Sequence, residues 1–167
     1  MKSWTEKTKE QSAIESKGFH ERVKPILNRI TDSYETFDPD TYEQKTLKVD
    51  GIAKTKNTTF YFENKIVNGN YSAIFGEYMA VPDCAPPKSG WIEIASRVDK
   101  PTVLIYAMLN TVYIYNMDKL KDWYQVQDKS KWRESKIRDY KFNQDMYGYL
   151  IPVSEIDQFK IAEFKIA

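Results

Sequence analysis

The sequence predicts a single α/β or α+β domain built on a mixed central sheet, and three observations predict it. Its 167 residues suit one domain of ordinary size. Its first thirty or so residues space apolar side chains at helical intervals, whereas much of the remaining chain is β-branched, aromatic and alternating. The resulting order of helix, several strands, helix and strand is that of a mixed sheet covered by helices. Hydrophobic residues make up 41% of the chain and aromatic residues 14%, enough to bury a core and too many for a disordered chain.

Residues 3 to 31 read as helical, with Ala13, Ile14, Val23, Ile26, Leu27 and Ile30 recurring near the 3.6-residue period. Gly18 and Pro25 interrupt the run. Pro25 lacks an amide donor and clashes with the preceding turn, so a kink, or a division into two shorter helices, is expected. Residues 32–43, with Asp38-Pro39-Asp40, read as a loop. Residues 46–52 alternate, residues 58–67 are β-branched and aromatic, and Lys54-Thr55-Lys56-Asn57 between them has no apolar side chain, so a β-hairpin is predicted. Asn68-Gly69-Asn70 is a turn, residues 71–81 fit a strand or a short helix, and residues 82–90 form an irregular loop. Residues 91–95, 103–107 and 112–115 are strand candidates, the last two joined through Leu109-Asn110-Thr111. Residues 117–124 read as a helix capped by Asn116, with Leu120 and Trp123 on one face. Residues 127–146 are polar and suit a long loop or a marginal helix, residues 149–153 a last strand, and residues 154–156 a further turn or helix.

The net charge of +1 carries no overall basic signal, which argues against a coat-like nucleic-acid binder more than against an enzyme. Lys and Arg gather over residues 17–29 and 129–141, where they could face phosphates or simply be solvated. The single cysteine, Cys84, excludes an internal disulfide and a Cys-based zinc site and fits a reducing compartment, and the single histidine, His20, excludes a multi-His metal centre. No apolar run approaches the ~18 residues needed to span a bilayer, and the N-terminus lacks the apolar stretch of a secretory signal. The expectation is a soluble cytoplasmic protein with no membrane partner.

Chemistry concentrates in Val49-Asp50-Gly51 and Tyr61-Phe62-Glu63-Asn64-Lys65. Side chains alternate along a strand, so Glu63 and Lys65 share one face, while Phe60, Phe62, Asn64 and Ile66 take the other and can bury against a helix. With Asp50 on the adjoining strand, its carboxylate reaches the Glu63 patch. Two neighbouring carboxylates repel, and a hard divalent cation is a reason for them to converge. Mg²⁺ keeps several waters, one of which can attack a phosphodiester while the metal neutralises phosphoryl oxygens. Lys65 can orient or help deprotonate that water, or stabilise charge developing at phosphorus. The plainer alternative is a solvated strand on which Glu63 and Lys65 form one weak ion pair.

These residues resemble the motif of the PD-(D/E)XK nucleases of the restriction-endonuclease-like superfamily. The resemblance implies an αβββαβ core, a mixed central sheet flanked by helices, with Asp50 on its second strand and Glu63-Asn64-Lys65 on its third. It implies catalysis by Asp50, Glu63 and Lys65, with the metal on Asp50 and Glu63. Many members add a Glu on the first helix. Here Lys17-Gly18-Phe19-His20-Glu21-Arg22-Val23, followed by Leu27, resembles the Gly…Glu-Arg helix of resolvase-like members, making Glu21 the match and Glu15 the runner-up. Gly90-Trp91-Ile92-Glu93-Ile94, the paired segments 102–106 and 111–115, Met117-Asp118-Lys119-Leu120 and Gly148-Tyr149-Leu150-Ile151-Pro152 are similar to small phage-encoded members. The resemblance spans residues 15–157 of a single domain over 1–167, and Val49 stands where a Pro often precedes the Asp. It implies a deoxyribonuclease using Mg²⁺ (Mn²⁺ can substitute), and a chain this short, without room for elaborate accessory domains, points to an endonuclease rather than a processive exonuclease. DNA is then the partner, a homodimer suits cutting of two strands, and a phage-encoded protein would work in the host cytoplasm. The alternative function is a non-catalytic nucleic-acid-binding or protein-binding module on the same fold.

Further residues carry weaker versions of these readings. Glu93, and after it Glu77, could line the site or be ordinary strand residues. His20 could touch DNA or be a surface histidine, and Trp91 and Trp123 suit a core or an interface. Lys129, Lys131, Trp132, Arg133, Lys136, Arg138 and Lys141 interleave basic and aromatic side chains in the manner of a nucleic-acid-contacting loop.

Overall fold

The N-terminal helix begins at a reciprocal cap. The Ser3 hydroxyl accepts from the Glu6 N–H while the Glu6 carboxylate accepts from the Ser3 N–H, which satisfies two of the donors a helix start leaves free. A computed structural model of the chain describes residues 1–93 and 99–166. In it α1 (Trp4–Gly18) passes through one π-helical turn (Phe19–Val23) into α2 (Lys24–Ile30). The interruption expected at Pro25 takes this form. Pro25 has no N–H to return to the Glu21 carbonyl, and the Lys24 N–H reaches back five residues to Phe19, widening the turn just before it.

Strands β1 (Ser33–Thr36), β2 (Gly51–Lys54) and β3 (Thr59–Ile66) form an antiparallel meander. Strands β4 (Ala73–Pro82) and β5 (Lys88–Ser89) then leave that sheet, and β6 (Thr102–Ala107) returns to it parallel to β3. After β7 (Thr111–Asn116) come α3 (Met117–Gln125), β8 (Arg133–Asp139), β9 (Gln144–Pro152), the short α4 (Val153–Ile156) and β10 (Lys160–Lys165). Two sheets result, one ordered β1-β2-β3-β6-β7-β10 and one ordered β5-β4-β9-β8. The protein is a mixed α/β fold whose central sheet is mixed, as expected.

The six-stranded sheet is the middle layer. One face packs Phe62, Ala53, Ile105 and Ile114 against Val23, Ile26 and Leu27 of the helices. The other packs Leu104, Tyr106 and Tyr115 against Ile74 and Ile151 of the second sheet and against Met117, Leu120 and Tyr124 of α3. The α1 helix also bridges layers, because the Gln11 amide donates to Asp139 at 2.9 Å and accepts from the Tyr140 N–H at 3.0 Å. No helix among the described residues is long and apolar enough to cross a membrane.

The structure departs from the sequence reading at several elements. The segment read as a loop contains β1, a mostly exposed edge strand whose polar side chains hide it. Residues 46–49 are not strand: Glu43–Leu47 is a π-helical turn, Lys48 is left-handed at φ 54°, and β2 begins only at Gly51. Residues 71–81, open between strand and helix, contain most of β4. Trp91, Ile92 and Glu93 lie in a turn rather than a strand, and Ile94 and Ala95 fall outside the described residues. The polar stretch 127–146 holds β8 and the start of β9, and β10 has no counterpart in the sequence reading. Where the αβββαβ order calls for a helix after the third strand, the described residues between β3 and β6 supply β4 and β5, and α3 comes after β7.

One buried cation ties the helices to the central sheet. Arg22, 7% exposed, sends its Nη1 to the carbonyl oxygens of Val67, Ala107 and Met108 at 3.0, 3.1 and 2.6 Å, at and just beyond the ends of β3 and β6. Gly18 permits this approach, since a Cβ there would collide with Ile66 and with the Arg22 guanidinium. Burial lowers the Arg22 pKa, but a guanidinium is the side chain that keeps its charge when buried. Arg22→Met would leave buried carbonyls without a donor and should cost about 3 kcal/mol, lowering Tm by roughly 6–12 °C. Thermal unfolding followed by circular dichroism checks this, and an unchanged Tm would remove Arg22 as the clamp.

Candidate active site

Glu63 and Lys65 lie on the β3 face opposite the helices. Phe62, fully buried, Phe60 and Ile66 fill the helix side, as the alternation requires. Glu63 pairs in register with Leu104 and Lys65 with Tyr106, both lining the space between the two sheets. Glu63 is therefore 5% exposed and not a solvated strand residue. The Lys65 ammonium meets its Oε1 at 2.8 Å and keeps 30% of its side chain exposed.

Asp50 stands one residue before β2, where the chain enters the sheet. Its N–H donates to the Phe62 carbonyl at 2.8 Å, and its own carbonyl accepts from the Phe37 N–H at 2.8 Å. Its carboxylate is pinned twice: Oδ2 accepts from the Asn64 N–H at 2.6 Å and Oδ1 from the Gln44 amide at 2.8 Å. Gly51 allows the close crossing, because a Cβ there would strike Phe62 and the Glu35 carbonyl. Asp50 and Asn64 also line a cleft of about 470 Å³ whose far wall carries Phe19, His20 and Lys24.

A third acid approaches from the second sheet. The register of β4 slips between Glu77 and Met79, leaving Tyr78 as the extra residue of a bulge, a device that re-aims neighbouring side chains. The Gly90 N–H donates to the Tyr78 carbonyl at 2.8 Å and the Ile92 N–H to the Glu77 carbonyl at 3.2 Å, fixing the bulge from outside. Gly90 must be glycine for this contact, because a Cβ would enter the Glu77 backbone.

The charges act strongly on one another. Burial, then the neighbouring Asp50 carboxylate, push the Glu63 carboxyl up to about 8 against the pull of Lys65. Burial alone would lower Lys65, but Glu63, Glu77 and Asp50 together outweigh it and hold the ammonium above the ordinary lysine range. Lys48 is lowered by burial and by Lys88, with Glu77 and Glu63 opposing. Lys121 of α3 is lowered by burial, with Glu63 and Asp118 opposing. Asp50, Glu63 and Lys65 thus belong to one electrostatic neighbourhood that also takes in Glu77, Lys48, Lys88 and Lys121. Of these four the sequence alone points only to Glu77.

Other expected residues lie elsewhere. Glu21 is exposed on the π-helical turn, which sends Arg22 inward instead. Glu15 accepts from Gln11 and faces Lys141 at 3.5 Å, near the β8–β9 end of the second sheet. Glu93 accepts from the Tyr124 hydroxyl at 2.8 Å. Trp132 is no stacking platform: it is 6% exposed, stacks on Tyr124 at 6.0 Å and donates to Glu155. The basic residues around it are divided by strand alternation and answered by local groups. Lys131 meets Glu155 at 3.6 Å, Arg138 meets Asp83 and Asp145, Lys141 meets Glu15, and Lys129 lies over the Tyr124 ring. Arg133 and Lys136 remain exposed.

Among the described residues no three His, Cys, Asp or Glu side chains gather as a ready-made metal cluster. Comparison with protein-family models, with curated proteins and with solved structures finds no match to this chain.

The raised Glu63 pKa makes stability depend on pH. A carboxyl raised from 4.5 to about 8 contributes stability that is complete below about pH 4.5 and lost as pH rises through 8. Glu63→Gln should therefore match the wild type near pH 5 and unfold at least about 3 °C higher at pH 9. Calorimetry across that range checks it, and a parallel pH dependence of the two proteins would refute the buried, protonated carboxyl.

Proposed function

We propose that this protein is a Mg²⁺-dependent deoxyribonuclease in which Asp50 and Glu63 hold the metal and Lys65 stands beside it. The observation that carries the reading is the buried Glu63–Lys65 pair at 2.8 Å in the same electrostatic neighbourhood as Asp50, which stands one residue before β2 and accepts from the Asn64 N–H of β3. The order of helices, antiparallel β1-β2-β3 and a β6 strand parallel to β3 supports a restriction-endonuclease-like core, with the second sheet standing in the crossover. DNA as substrate rests on the family resemblance.

The donor set fits Mg²⁺. That ion needs one or two carboxylates and keeps its remaining waters, so two acids suffice without a third ligand. Glu63 is short of positive charge, since Lys65 alone leaves its carboxyl raised. When bound, the cation would supply charge neutralisation at phosphoryl oxygens and a more acidic water. The protein's own contributions come from its contacts. Gln44 and the Asn64 N–H orient Asp50. Lys65, held as an ammonium, suits stabilising charge on the phosphorus centre and orienting water better than accepting a proton.

A second reading draws on one specific observation: both Asp50 oxygens already accept hydrogen bonds. On that reading the pairing is structural and the fold serves as a non-catalytic nucleic-acid-binding or protein-binding module.

Linear, nicked, branched and single-stranded DNA incubated with Mg²⁺ or Mn²⁺, with and without chelator, separates the two. The nuclease cuts at least one substrate in a chelator-sensitive way. Lys65→Ala should keep the far-ultraviolet spectrum of the wild type and lose about 100-fold or more in rate. No metal-dependent cutting of any substrate would favour the binding module. Because Glu63 must give up its proton to a cation, metal affinity should rise as pH is raised from 6 to 8, with proton release measurable by calorimetry in buffers of different ionisation enthalpy. Asp50→Asn should weaken that binding, and unchanged affinity would exclude Asp50 as a ligand.

A further inference from the structure

The α3 helix buries four side chains, Met117, Leu120, Lys121 and Tyr124. Their spacing of i, i+3, i+4 and i+7 is the inward stripe of an amphipathic helix, and an apolar residue is what each position calls for. Lys121 breaks the pattern. It is 5% exposed, whereas Lys119 on the same helix is exposed. Burial of the side chain works against its charge. Yet among the described residues no carboxylate lies within 4.0 Å of its nitrogen. The acids that act on it are engaged elsewhere: Glu63 by Lys65, and Asp118 by the Thr102 N–H at 2.9 Å.

With no described carboxylate within ion-pair distance and the Lys65 ammonium acting from the same side, Lys121 is left able to meet an anion that arrives from outside. We propose that Lys121 is a phosphate-contacting residue, its Nζ binding a phosphoryl oxygen of a phosphodiester seated at the Glu63–Lys65 site. This deepens the nuclease reading and rests on it for the identity of the ligand. Lys65 and Lys121 then approach the phosphate from two elements, β3 and α3, and Lys48 adds positive charge from the segment leading into β2.

The test is binding without metal, so that turnover does not enter. A fluorescent single-stranded oligonucleotide is titrated in chelator into wild type, Lys121→Met, Lys121→Arg and Lys119→Met, with inorganic phosphate as competitor, and Tm is measured for each. Lys121→Met should bind at least tenfold more weakly, with a salt dependence shallower by about one contact, and its Tm should equal or exceed that of the wild type. Lys121→Arg should retain most of the affinity and Lys119→Met all of it. Competition by inorganic phosphate assigns the contact to the phosphate group itself. Retained affinity without competition in wild type, lost in Lys121→Met, assigns it to the DNA strand. Lys121→Met binding within twofold of wild type, an equal loss in Lys119→Met, or no binding by the wild type overturns the proposal. A wild type that cuts DNA while Lys121→Met binds normally removes Lys121 and leaves the nuclease. A wild type that binds through Lys121 but never cuts does the reverse.

Discussion

Glu63 is a carboxylate placed where water cannot solvate it, and the arrangement around it answers that fact. A strand on a half-covered sheet would leave such a group wet and ordinary. Here the second sheet and α3 close over the β3 face, so the charge is either met by neighbouring groups or suppressed by a proton. Lys65 meets part of it. The raised carboxyl shows that one ammonium is not enough in the company of Asp50.

The architecture supplies these neighbours through three different devices. Parallel pairing of β3 with β6 sets Glu63 and Lys65 over Leu104 and Tyr106 and so aims them between the layers. A left-handed residue, Lys48, lets the chain turn from a π-helical segment into β2 and brings Asp50 to the edge of β3. A bulge in β4, fastened by the turn at Gly90, puts an irregularity beside Glu77. None of these is a general stabilising feature. The last two give up regularity for the position of one side chain.

Much of this is legible in the sequence alone. The β2–β3 hairpin and the face shared by Glu63 and Lys65 come from two-residue alternation, and the helical N-terminus from apolar spacing. The features that escape depend on contacts distant in sequence. β1 and β8 are edge strands with mostly exposed, polar side chains, so they lack the alternation that marks a covered strand, and on the edge strand β10 the alternation of Ala162 and Phe164 is masked by an exposed Ile161. Trp132 resembles a nucleic-acid contact because of its basic neighbours, and its burial depends on α3 and β9 reaching it from elsewhere in the chain. The depth of the site is hidden because residues 73–82 cannot be assigned to a second sheet from their own composition. Lys121 does leave a local trace, a charged residue inside the stripe Met117, Leu120 and Tyr124, which becomes informative once the helix is known to be covered.

The bridging role of α1 has a mechanical consequence. Along its length the helix is fastened to the second sheet through Gln11 and Asp139, and the turn at its end is fastened to the central sheet through Arg22. It therefore ties the two layers together at two separate points. Spreading the layers apart would tear one of these two anchors.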